Sequence, residues 1–463
     1  MTISYTEKIV SDIRKKFIDK VRQIDAETYD KLDLSNIYNT ITIDTQNVAD
    51  IVDIVWYLLN STILSLFILL YISYYSQMTF LYVLLFLLVS WTIYHINNIR
   101  VFRRVMKARK SEKVLFESIN DLLFGFKELQ INRDKCKNFY QKQLLKNIST
   151  IQHLKTKSGF AIADGILLPE MTWLLSLFII VYLSTSFSFL KGDALIKSLQ
   201  IMIYLPISYI LEQIPFVAIA NISIQRIIQI EKKLDQILID QDKMSFDQPI
   251  VPVNTFDVIK FQNICFRYTD YDGASQFTLG PLNFSVKKNE ITFITGGNGS
   301  GKSTLLKLIT GLYYPFSGVI SMDNDEVEMS SHRHLFSPIF SDFHLFDKLY
   351  GLDGIDSQQV EHLIKKMELQ HKVSYVNGGF NTIDLSTGQK KRLALISALL
   401  EDKPIYIFDE WAAEQNVEFR EYFYKILLFE LKQKGKTIIA VSHDDQYFHV
   451  ADKVLSLEYG TIQ

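Results

Sequence analysis

From Ile54 to Ile99 the chain runs for 46 residues without an aspartate, glutamate, lysine or arginine. A helix crossing a hydrocarbon core of about 30 Å needs about 20 apolar residues. The run is therefore too long for one membrane span and suits two. Ser76–Gln77 is the polar tip between them, giving helices near 52–75 and 79–98. A second apolar pair follows near 160–188 and 194–220, with Gly192 in the short turn. Lysine and arginine crowd the intervening 100–158 segment, beginning Arg100, Arg103, Arg104, Lys107, Arg109 and Lys110, and nearly avoid both tips. That bias puts the basic segment in the cytoplasm. The alternative, four core helices of a soluble protein, does not account for charge-free runs of this length.

The first fifty residues lack such a run. Ile9, Ile13, Phe17, Val21 and Ile24 recur at helical spacing among charged residues, so an amphipathic helix is expected and no cleavable signal peptide. Cys136 and Cys265 fit no metal spacing and are expected as free thiols. A net charge of -2 argues against a wholly basic, nucleic-acid-binding surface.

After a charged helical stretch (Gln225–Lys243) and a linker containing Pro249 and Pro252, the pattern changes. From Phe256 short strands alternate with helices, as in an α/β domain. The expected division is a membrane domain over 1–224, a connecting segment over 225–256 and an α/β domain over 257–463.

Within the α/β part, Ile291–Thr295 reads as a strand, followed by Gly296–Gly301, Lys302, Ser303 and an apolar helix start. This is Gly-x-x-x-x-Gly-Lys-Ser, the P-loop. Glycines let the backbone turn its N–H groups onto phosphate oxygens, and the helix start adds its positive dipole end. Gly296, Asn298, Gly299, Ser300, Gly301 and Thr304 are expected to cradle the phosphates. Lys302 is expected to reach the β/γ-phosphates of ATP, and the Ser303 hydroxyl to ligate Mg²⁺. The apolar strand Ile405–Phe408 ends in Asp409–Glu410. Asp409 is expected to complete the metal site, and Glu410 to orient or deprotonate the attacking water. His443, after the strand Thr437–Ala440, is placed to contact the γ-phosphate.

Leu385-Ser386-Thr387-Gly388-Gln389 resembles the LSGGQ signature of ATP-binding cassette (ABC) proteins, with threonine third. The resemblance implies that Ser386, Gly388 and Gln389 close over the ATP of a second subunit, so that one cassette per chain works as a homodimer. It also implies that Tyr268, 28 residues before Gly296, stacks on adenine; a strand tyrosine without that role is the other reading. Residues 340–347 (FSDFHLFD), 385–392 (LSTGQKKR) and 409–415 (DEWAAEQ) look like the branch that exports cyclic peptides and siderophores, including the syringomycin, pyoverdine and lasso-peptide microcin exporters.

Three departures from the family pattern stand out. Ser341 occupies the place of the glutamine that touches Mg²⁺, and Asn416 that of an aspartate at the dimer seam. The family's exporter halves carry six membrane helices, against the four expected here, and residues 1–50 resemble the cytoplasmic loop after the second. Two further apolar segments are therefore expected, upstream or on another chain. Glu212, inside the final apolar segment, is expected to face protein or a polar cavity, with Asp164 or Glu170 of the preceding span as its companion there.

The expected fold is an α-helical transmembrane bundle followed by an α/β P-loop ABC nucleotide-binding domain. The resemblance implies ATP-driven export of a peptide or peptide-like metabolite across the inner membrane. The chain would be surrounded by membrane lipid, with its nucleotide-binding domain in the cytoplasm. Lipid or drug export, and a non-transporting membrane ATPase, are the alternatives.

Overall fold

The computed structural model describes residues 2–186, 204–240, 255–269, 275–352 and 354–463. They divide into two compact units.

The first unit comprises Met1–Arg22 and Asp33–Gln236 and is helical. Its helices include α1 (Thr2–Arg22), α2 (Thr45–Tyr75), α3 (Gln77–Phe124), α4 (Leu145–Ser186) and α5 (Tyr204–Asp240). The α2 helix stops where Ser76 turns extended, and the Ser76 hydroxyl caps α3 by accepting from Thr79 N–H at 3.3 Å. Beyond the apolar stretch expected near 79–98, α3 runs on to Phe124. Its hydrophobic periodicity continues through the basic segment, so nothing ends the helix until Gly125. The expected span near 160–188 lies on α4 as far as Ser186, and that near 194–220 begins within 187–203, outside the described residues, where its turn at Gly192 also falls.

Two stretches among the described residues, Asn36–Tyr74 and Gln77–Asn97, are long and apolar enough to cross a membrane. Only 11% and 18% of their apolar windows are buried. A core helix of a soluble protein would be mostly buried, so these faces suit lipid. Where α2, α3 and α4 do meet, Ile68, Ile72, Val83 and Trp173 form a small packed cluster. Tyr82 donates to the Ser176 carbonyl at 2.8 Å, and Asn97 to that of Ala161 at 3.0 Å. Asp164 is exposed and Glu170 half-buried; the side chain of Glu212 lies outside the description.

The second unit comprises Ile237–Gln463 together with Gln23–Leu32. That short N-terminal piece is tied to it through Asp30, which accepts from Tyr313 Oη at 2.7 Å and Lys307 Nζ at 3.0 Å. Its antiparallel layer contains β1 (Val258–Thr269), β2 (Ser275–Lys287) and β3 (Ser317–Met322). The main sheet contains β4 (Ile291–Thr295), β5 (Phe336–Ile339), β6 (Ile405–Asp409), β7 (Thr437–Val441) and β8 (Lys453–Glu458). A short C-terminal strand (Thr461–Ile462) pairs beyond β8, and from there the order is β8-β4-β7-β6-β5.

These five strands are parallel, with Ile294 beside Val441, Val441 beside Asp409 and Phe408 beside Ile339. Strands β6 and β7 are buried at every residue, as continuous apolar runs covered on both faces should be. In open parallel sheets ligands bind beyond the carboxyl ends of the strands. Here four adjacent strands deliver the P-loop, His443, Asp409–Glu410 and Ser341 to that one edge.

Candidate nucleotide site

The P-loop leaves β4 at Gly296 and enters helix α6 (Lys302–Ile309). Gly296 has φ +143°, and a Cβ there would lie 2.2 Å from the Leu457 carbonyl oxygen. Only glycine fits a chain that must both curl and pass so close to β8. The helix is anchored from below by Leu305, Leu306 and Ile309, all buried. Lys302 is buried and folds back over the loop, donating to the carbonyls of Gly296 at 2.9 Å and Gly297 at 3.0 Å. Its ammonium thus sits over the loop mouth. Gly299 and Gly301 also take positive φ, and Asn298 stands exposed on the rim. Ser300 is buried with its hydroxyl unpartnered.

Across from the loop, Asp409 is 2% exposed, and its Oδ2 accepts from Ser303 Oγ at 3.2 Å and Ser341 Oγ at 3.0 Å. The Ser341 N–H is 3.4 Å from the same oxygen. The shorter side chain of serine therefore still reaches the Asp409 carboxylate. Three hard oxygens, Ser303 Oγ, Ser341 Oγ and Asp409 Oδ2, converge on one point. That donor set fits Mg²⁺, which is held by one or two carboxylates plus phosphate oxygens and water. Among the described residues no three or more histidine, cysteine, aspartate or glutamate side chains cluster as a metal site.

Glu410, directly after β6, adopts φ +49°, a left-handed backbone that costs a non-glycine residue energy and breaks the strand's alternation. Its Oε1 lies 3.1 Å from His443 Nε2. Behind His443, the buried Tyr424 hydroxyl shares a 2.7 Å hydrogen bond with Ser442, and Ser442 Oγ accepts from Asp444 N–H at 3.1 Å. Burial raises the Tyr424 phenol, which keeps its proton.

Tyr268 on β1 is half-buried, sharing a 3.3 Å hydroxyl contact with Thr304, and its ring sits edge-on to Phe266 and Tyr313. Ser386 caps helix α7 (Thr387–Glu401) through a reciprocal box with Gln389. Gly388 packs so closely on residues 414–415 that a Cβ would lie 2.7 Å from the Glu414 carbonyl oxygen. The expected residues thus fall into two groups. Gly296–Thr304, Ser341, Asp409, Glu410, His443 and Tyr268 gather around the sheet edge, whereas Ser386, Gly388 and Gln389 open the separate α7 helix.

One residue near the site has no counterpart in the sequence expectations. Lys391, 3% exposed, donates to the Glu410 carbonyl at 2.8 Å. A lysine within LSTGQKKR gives no local sign of which side chain faces inward.

Residues 279–413 match the family model described as ABC transporter. Over 98% of its length the chain is 29% identical to the "ATP-binding protein SyrD" of Pseudomonas syringae pv. syringae, spanning 82% of that protein. It is 24% identical, again over 98% of its length, to the "ATP-dependent lipid A-core flippase" of Escherichia coli (strain K12), spanning 79% of it. Among solved structures, a bacterial Atm1-family ABC exporter with ATP bound superposes with a TM-score of 0.73 at 16% identity, covering 99% of this chain and 82% of that one. Residues 279–413 therefore form an ABC transporter ATP-binding domain, C-terminal to a helical unit, and the chain as a whole shares the fold of an ABC exporter.

Proposed function

We propose that the chain is a half-transporter that works as a homodimer and exports a peptide-like metabolite. The observation that carries the ATPase part is the convergence of Ser303, Ser341 and Asp409 beside the Glu410–His443 pair. In this reading Tyr268 stacks on adenine, and the P-loop amides of Gly296–Thr304 with Lys302 hold the phosphates. Mg²⁺, when bound by Ser303, Asp409 and Ser341, neutralises charge on the β- and γ-phosphates. Glu410 accepts a proton from, or orients, the attacking water, and His443 holds its carboxylate toward the γ-phosphate. Ser386, Gly388 and Gln389, at the N-terminus of α7, serve the ATP of the partner protomer.

The cargo assignment rests on the likeness of residues 340–347, 385–392 and 409–415 to the cyclic-peptide and siderophore branch. The similarity to a lipid A-core flippase supports a second reading, lipid translocation. In both, the apolar spans within residues 1–224 lie in the inner membrane and residues 257–463 in the cytoplasm. Inside-out membrane vesicles holding the full chain test the choice. ATP-dependent accumulation of a labelled cyclic lipopeptide is expected. No peptide uptake, with ATP-dependent flipping of a fluorescent lipid, would replace this reading with the second.

A further inference from the structure

The loop from Glu410 to Asn416 is laced to the first two turns of α7 by bonds in both directions. Lys391 Nζ donates to the Glu410 carbonyl at 2.8 Å and lies 3.8 Å from Glu414 Oε1. Trp411, 1% exposed, returns a bond from Nε1 to the Lys391 carbonyl at 2.9 Å. Gln415 Nε2 donates to the Gly388 carbonyl at 3.0 Å, and Arg392 reaches Gln415 Oε1 at 2.9 Å and Asn416 Oδ1 at 3.1 Å. Of these, only Lys391 touches Glu410 itself. Burying an ammonium is costly unless it gains strong partners, and its hydrogen-bonded partner is the backbone of a residue in the unfavourable left-handed region. That charge-assisted bond, with a second from Ala413 N–H at 3.3 Å, restrains the peptide plane next to the Glu410 carboxylate that faces His443.

We propose that Lys391 is a positioning residue that fixes the Glu410 backbone from the signature helix, so that the two ATP sites of a dimer are coupled through it. The proposal rests on the reading of Glu410 as the water-orienting carboxylate and of Ser386–Gln389 as facing a partner's ATP. Engagement of the α7 N-terminus by the partner's nucleotide then stiffens the same helix that holds Glu410 in place.

The test uses the full chain in nanodiscs. Lys391→Met keeps length and packing but removes the donor. Its kcat for ATP is expected to fall about tenfold or more, the loss of a charged hydrogen bond, with KM for ATP unchanged and the Hill coefficient lowered toward one. Lys391→Arg is expected to recover most of the kcat. In a Glu410→Gln background Lys391→Met should cost nothing further. Wild-type kcat and Hill coefficient in Lys391→Met, or a full additional loss in the double variant, would overturn the proposal. Near-normal turnover in Glu410→Gln alone would instead overturn the reading beneath it. A measurement independent of variant folding is amide exchange in the unsubstituted chain. Residues 387–392 and 410–416 should slow together as ATP is added; slowing in one segment alone contradicts the coupling.

Discussion

His443 Nε2 stands 3.1 Å from Glu410 Oε1, although the two residues are 33 apart in sequence and leave adjacent parallel strands. The contact depends on the left-handed backbone at Glu410, φ +49°, which directs its carboxylate across the gap between β6 and β7. Loss of the imidazole leaves that carboxylate without its only side-chain partner among the described hydrogen bonds. His443→Ala is therefore expected to lower ATP turnover by about 10²-fold, within the range for groups that act in proton transfer. Nucleotide titration should show ATP affinity within a fewfold of wild type. Unchanged turnover would remove His443 from the site.

Ser341 reaches Asp409 Oδ2 at 3.0 Å. A hydrogen bond to a charged group contributes about 1.5–3 kcal/mol. Ser341→Ala should raise the Mg²⁺ concentration for half-maximal ATPase by about tenfold or more. Mg²⁺ titration of the two proteins at saturating ATP checks this, and coincident curves would show that Ser341 takes no part in the metal site.

Asp452 fixes the start of the P-loop strand, accepting from Ile291 N–H at 2.8 Å and pairing with Lys432 at 2.6 Å. Burial alone pushes its carboxyl up, but the Ile291 amide and the Lys432 ammonium outweigh that and hold it below the ordinary aspartate value. A carboxylate with a depressed folded-state pKa stabilises fully above its unfolded value, about 3.9, and loses that contribution as pH falls through the folded value. Asp452→Asn should therefore melt below wild type at neutral pH, with the difference shrinking below about pH 4. A pH-independent difference in melting temperature would assign the effect to packing.

Tyr313 donates to Asp30 at 2.7 Å, tying residues 23–32 to the nucleotide-binding unit. Burial raises the Tyr313 phenol, so it remains a donor across the working pH range. Tyr313→Phe should speed amide exchange over residues 23–32 by about fivefold or more, the equivalent of about 1 kcal/mol for a hydrogen bond. Exchange unchanged by the substitution would show that other contacts hold the segment.

Much of the site could be read from the sequence because its chemistry is carried by local patterns. The strand–loop–helix around Lys302 and the strand ending in Asp409–Glu410 are each recognisable within a dozen residues, and their order implied that they meet. Ser341 was legible as a departure, but not that its hydroxyl would still span the distance to Asp409. Three features had no local signature. The left-handed turn at Glu410 arises in a non-glycine residue and depends on the Lys391 and Trp411 bonds around it. Lys391 lies in a run of basic residues, and only the packing of α7 turns one of them inward. The grouping of Gln23–Leu32 with the C-terminal unit rests on contacts spanning 277 and 283 residues, which no periodicity within the first fifty residues encodes. The extent of α3 was legible as well: helical periodicity persists past the apolar run through Leu115, Ile119, Leu122 and Leu123, and the helix runs to Phe124.

In the proposed function Glu410 drives hydrolysis at a site otherwise built to hold Mg²⁺ and ATP. Steady-state ATPase and ATP binding, measured together on Glu410→Gln in the full-length chain in nanodiscs, test it most directly. Turnover is expected to fall by about 10²–10⁴-fold, with ATP affinity preserved and an ATP-bound closed dimer accumulating. Near-wild-type turnover in Glu410→Gln would contradict it.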